Sequence, residues 1–154
     1  MDLMKKTEKI WKITSVVIFF LILTACFNEN SNTSIFEELI INTCKKVDED
    51  YKIELKNLTK FSYDKLYIFE GPRFPSEIEQ VTNIKYDELL DDGVRLYLFV
   101  KNNNIIKQEK SLSKDVNIHR IMNEQGFCIL SSETILYAKQ KKNGDDNYYD
   151  TFYK

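Results

Sequence analysis

The residues able to do chemistry are few and scattered. A single histidine, His119, stands beside Arg120, and the three cysteines are Cys26, Cys44 and Cys128. A hydrolase triad needs a nucleophile, a base and a group that orients the base. No Gly-x-Ser-x-Gly turn accompanies His119, which reads as a surface side chain. Cysteine catalysis would need Cys44 or Cys128 exposed beside it, yet both lie in apolar patterns that predict burial. A small hydrolase using Cys128 or His119 is the enzymatic alternative. The acidic groups Asp48 to Asp50, Asp87 with Glu88, Asp91 with Asp92 and Asp145 with Asp146 fall at element ends and turns. Such positions solvate carboxylates; glycosidase or calcium chemistry needs them converging from separate elements. Two distant cysteines and one histidine fall short of tetrahedral zinc ligation. Four glycines leave no phosphate-cradling loop. The expectation is a non-catalytic chain without metal or cofactor.

The strongest motif concerns location. Lys5, Lys6, Lys9 and Lys12 precede an apolar run from Ile13 to Ala25. A basic head before a run of this length matches a secretory signal, because a membrane span needs about 20 apolar residues. The run ends in Leu23, Thr24, Ala25 and Cys26. This resembles the lipobox of bacterial lipoproteins, in which a small residue precedes the modified cysteine. The resemblance implies a diacylglyceryl group on the Cys26 sulfur, cleavage between Ala25 and Cys26, and acylation of the new amino group. Phe27 at the next position points to the outer membrane, facing the periplasm, if the host is Gram-negative.

The first 25 residues hold four lysines and two acids, so the remainder carries 18 basic and 22 acidic groups, net −4. An acidic chain gains nothing from phosphate neutralisation, which argues against nucleic acid as a partner. It also argues against adhesion to anionic lipid through a basic patch. Membrane attachment therefore falls to the lipid on Cys26. Outside the inner membrane disulfides are permitted. A Cys44–Cys128 bond and two separately packed thiols both stay open.

These readings divide the chain into a signal peptide (1–25), a lipidated cysteine with a polar tether (26–34) and one domain (35–154). Ser34 with Glu37 has capping-box spacing. Phe36, Leu39, Ile40, Cys44 and Val47 then recur at helical intervals, predicting a long helix from Ile35 to Glu49. Ile53, Leu55 and Leu58 alternate as a strand. Leu66 to Phe69 is apolar on both faces, as in a central strand. Ser76 with Glu79 spans a second capping box opening a short helix to Asn83. Val94 to Val100 is the clearest strand, turning at Asn102 to Asn104 into a polar hairpin partner up to Ser111. Residues 114–125 read as a loop or short helix. Phe127 to Leu130 and Thr134 to Ala138 are further strands, and Asn143-Gly144 a hairpin turn before a strand from Tyr148 to Tyr153. The sum is an α+β fold, an antiparallel sheet of about five to seven strands with one long N-terminal and one short helix.

Phe61, Tyr63, Asp64 and Lys65, leading into Leu66 to Phe69 and then Gly71-Pro72 and Pro75 to Ile78, resemble a group of small exported bacterial proteins of unassigned function. The resemblance implies a strand–turn–helix–strand order and an exported location; it carries no catalytic residues.

Nine Tyr and ten Phe are many for so small a domain. Tyr148, Tyr149, Phe152 and Tyr153 crowd the C-terminus beside Asp145 and Asp146. Half of this tail is expected to pack as an edge strand. The other half faces solvent or a partner, because tyrosine buries area at low entropic cost and keeps a polar tip. The expected function is that of a membrane-held binding lipoprotein. The leading form is an immunity protein that neutralises an envelope-acting toxin, such as a phospholipase effector of type VI secretion. An accessory lipoprotein of envelope assembly or surface exclusion is the other binding reading.

Overall fold

The computed structural model describes residues 32–153; Ala25, Cys26, Phe27 and the predicted leader lie outside them. Ser34 caps the first helix, α1 (Ile35–Thr43), through the expected capping box with Glu37. Nine residues are too few to hold a helix alone in water. Burial of Phe36 and Ile40, at about 1.5–3 kcal/mol each, is what keeps it. The helix is shorter than its apolar spacing predicts. Cys44 turns extended, and Asp48 takes a positive φ of 61°. Val47, predicted to continue the helical stripe, instead bridges Gln140 of a neighbouring strand. Sheet pairing has overridden helical periodicity there.

Eight strands follow: β1 (Asp50–Glu54), β2 (Lys65–Glu70), β3 (Arg95–Lys101), β4 (Asn104–Ser111), β5 (Val116–Asn117), β6 (Phe127–Ser131), β7 (Ile135–Asn143) and β8 (Asp146–Phe152). They form two four-stranded sheets, ordered β1-β7-β8-β5 and β4-β3-β2-β6, in place of the single sheet predicted. All pairs are antiparallel except β5 with β8. The difference arises because the last hairpin pairs with β1 rather than with the central strands. Leu55, expected to extend β1, opens a 3₁₀ turn, Leu55–Asn57.

β2 and β3 sit at the centre of the second sheet, which is why both are apolar on both faces. One face, with Leu66, Ile68, Tyr97 and Phe99, shares the main core with α1 and with Leu136 and Ala138 of the first sheet. The other, with Tyr67, Phe69, Leu96 and Leu98, is covered by Ile78 of the second helix, α2 (Pro75–Thr82), and by Tyr86 and Leu90. The strand–turn–helix–strand order is present. The cap of α2, however, is Phe74, whose N–H donates to the Glu77 carboxylate at 2.7 Å. Pro75 occupies N1, where its missing N–H costs nothing, so Ser76 falls inside the helix. Both turn expectations hold in kind. Asn102 and Asn103 have positive φ; in the last hairpin Asn143 pairs Asp146, so Gly144 and Asp145 form the loop.

Alkali is expected to weaken the core. Burial pushes Cys44 up to about 11 and Cys128, Tyr63 and Tyr86 up to about 12, from ordinary values of 9.0 for thiol and 10.0 for phenol. The folded state thus favours the neutral form. The associated stability is complete below pH 9 and disappears as pH rises through these raised values. The urea midpoint should fall steadily from pH 9 to pH 11, and a flat midpoint over that range would contradict the burial described.

Candidate functional site

Along β2 and β3 the core face carries apolar side chains at every second residue, and the alternation runs on past the core. Glu70 follows Leu66 and Ile68 on one strand, and Arg95 precedes Tyr97 and Phe99 on the other. Glu70 and Arg95 are register partners, as are Arg95 and Ser111 of β4. A polar row, Ser111–Arg95–Glu70, therefore lies across three strands on the face turned to α1.

Glu37, on the first turn of α1, meets this row with its carboxylate wholly buried. Its Oε1 accepts the Tyr97 hydroxyl at 2.8 Å and lies 3.3 Å from Arg95 Nη1. Its Oε2 accepts the Ser34 N–H at 3.0 Å and the Ser111 hydroxyl at 2.5 Å. Arg95, whose side chain is 11% exposed, also donates from Nη1 to the Val116 carbonyl at 2.5 Å and from Nε to Glu70 Oε1 at 3.3 Å. Burial, then the charge of Glu37, pushes the Tyr97 hydroxyl well above its ordinary value, so it remains a donor. A buried charge with every lone pair engaged is tolerable; a half-satisfied one is not.

The outer end of the row opens into a pocket of about 450 Å³ lined by Glu70, Asp92, Arg95, Lys114, His119 and Tyr148, among others. His119, its side chain 68% exposed, places Nδ1 3.6 Å from Glu70 Oε2. That is too long for a hydrogen bond and is an ion pair only when His119 is protonated. Sequence reasoning named Tyr148 as a binding residue, read His119 as a surface side chain and Glu37 only as a capping residue, and missed Glu70 and Arg95. The available signal was Arg95 itself: alternation aligns it with Tyr97 and Phe99 on a buried face, which demands an acid partner.

The tail residues divide between two surfaces. β8 is an inner strand, flanked by β7 and by the two-residue β5, and not the edge predicted. Tyr149 and Thr151 face the main core, while Tyr148 reaches the pocket. Phe152 turns outward and stacks on Tyr137, centroids 6.2 Å apart, with the Arg120 guanidinium 5.0 Å over its ring. Around them lie Lys139, paired with Asp50 at 2.9 Å, and Lys141, paired with Asp150 at 3.3 Å. A second hollow of about 200 Å³ separates these groups. Tyr153 is half-exposed. Asp145 and Asp146 stand exposed at the hairpin tip. The outward aromatic stack thus has Arg120 and the ion pairs Lys139–Asp50 and Lys141–Asp150 as its neighbours.

Cys44 and Cys128 are free, buried thiols. Each packs as a small hydrophobe in the main core, Cys44 at the end of α1 and Cys128 opposite Ile68 in β6. Their raised pKa values leave little thiolate at neutral pH, and Cys128 is not part of the pocket lining beside His119. Among the described residues no group of three His, Cys, Asp or Glu could hold a metal ion, and no helix is long and apolar enough to cross a membrane. Comparison with known protein families, curated proteins and solved structures finds no match.

Proposed function

We propose that the chain is a lipid-anchored binding protein of the cell envelope, an immunity protein that captures a toxin acting there, such as a phospholipase effector of type VI secretion. The lipobox-like segment ending in Cys26 supports the location. The observation that carries the binding role is the outer face of the first sheet. There the Tyr137–Phe152 stack stands on paired strands and Arg120, from the turn after β5, lies over the Phe152 ring, so aromatic and guanidinium groups are held together for a partner. Tyr, Trp and Arg dominate binding hot spots, the aromatics because they bury large areas at low entropic cost and Arg because its planar guanidinium offers several donors and stacks on rings. Tyr148, on the same strand, extends the surface to the pocket.

The test is binding of, and protection against, envelope-acting effectors from a toxin-bearing strain. Phe152→Ala and Tyr148→Ala should each weaken binding about 30-fold, the effect of a hot spot of about 2 kcal/mol. Tyr148→Ala should leave the urea midpoint nearly unchanged, while Phe152→Ala, which also loses the Tyr137 stack and the Arg120 contact, should lower it by an amount equivalent to about 1 kcal/mol. Recovery of no effector by the wild-type protein from a toxin-bearing strain would count decisively against this role.

A further inference from the structure

The predicted tether does not run free to the first helix. The Asn32 carbonyl accepts the N–H groups of Leu112 and Ser113, at 3.3 and 3.1 Å, just past the end of β4. The Ser111 hydroxyl lies 2.8 Å away as well, though its single proton serves the charged Glu37 more strongly. Ser34 is buried at the cap of α1. The chain that leads back to Cys26 therefore leaves the domain at this corner. Five residues separate Cys26 from Asn32, and covalent geometry limits their reach to about 21 Å at full extension.

We propose that the corner formed by residues 111–114 rests on the bilayer that holds the acyl chains of Cys26. The inference rests on the lipoprotein reading given above and adds an orientation to it. Leu112, 59% exposed, supplies an apolar side chain that gains by entering the interface. Lys114, also exposed, suits anionic headgroups, and the adjoining Asp115 limits that attraction, so the short tether provides most of the bias. Ser113 and Lys114 line the large pocket too. Its rim is consequently held at headgroup level, where a lipid-directed toxin works.

β4 serves as a ruler for the test. Its eight residues span roughly 24 Å at about 3.4 Å per residue, so Asn104 stands far from the corner that Leu112 occupies. Leu112→Cys and Asn104→Cys are each labelled with a maleimide fluorophore in the mature, lipidated protein; Cys44 and Cys128 are buried, and the Cys26 sulfur is taken up by its lipid on the reading above. The labelled proteins are placed in phosphatidylethanolamine–phosphatidylglycerol vesicles carrying a headgroup-level quencher. Quenching should be severalfold stronger at position 112 than at 104. Equal or reversed quenching in protein that co-floats with the vesicles overturns the orientation and leaves the anchor standing. Protein without acyl groups that fails to co-float overturns both.

Discussion

Glu37→Ala should destabilise the domain by about 3–5 kcal/mol, the usual cost of removing one partner from a buried ion pair. The substitution strips Arg95 of its buried counter-charge and leaves the Tyr97 hydroxyl and the Ser34 N–H without their Glu37 acceptor, while the Ser111 hydroxyl can turn to the Asn32 carbonyl. Domains of this kind are stable by only about 5–15 kcal/mol, so the loss is a large share of the whole. It would be read as a fall in urea midpoint at unchanged slope. Glu37→Gln keeps the shape and should cost less. The pair Glu37→Leu with Arg95→Met should cost less than the sum of its single changes, by about 0.5–3 kcal/mol, since neither then strands a buried charge. Strict additivity, or a loss below about 1 kcal/mol for Glu37→Ala, would show that the row does not depend on this carboxylate.

Cys26→Ala should abolish acylation altogether. Intact-mass analysis is expected to find the natural protein beginning at residue 26 with fatty acyl groups, and the variant retaining residues 1–25 with none. A single myristoyl chain binds a membrane with only about 10⁴ M⁻¹, and further chains add about 0.8 kcal/mol per buried CH₂. Anchoring by several chains is therefore close to all-or-none. Residues 27–154 placed behind an ordinary cleaved secretion leader should appear wholly in the soluble fraction. Finding the natural protein with its first 25 residues intact and no acyl group would remove the premise of both the proposed function and the proposed orientation.

These two experiments probe features of different legibility. The proposal for Cys26 comes from reading along the chain, because charge, apolar run and small residue are contiguous. Glu37 was visible too, but only as the third helical residue, closing a capping box with Ser34 three positions before it. Its second role joins it to Arg95, Tyr97 and Ser111, which lie 58, 60 and 74 residues further on. Those contacts depend on which strands pair and in what register. A one-residue slip of β3 would send Arg95 to the opposite face. The same holds for the tail: alternation along β8 predicted that half its side chains face outward, but not that Lys139, Lys141 and Arg120 would be their neighbours.

Local chemistry was thus within reach of the amino-acid order alone: the cap at Ser34, the doubly apolar β2 and β3, and the asparagine turn after Lys101. Backbone hydrogen bonding, side-chain alternation and turn geometry are decided within a few residues, so they leave a contiguous trace. The division into two sheets, the early end of α1, the clamp on Asn32 and the pocket at the end of the polar row were settled only by folding. Each depends on free energy gained between residues far apart in the chain. The pairing of β1 with β7, for example, outweighs the helical preference of Cys44 to Val47 without leaving any mark in that segment.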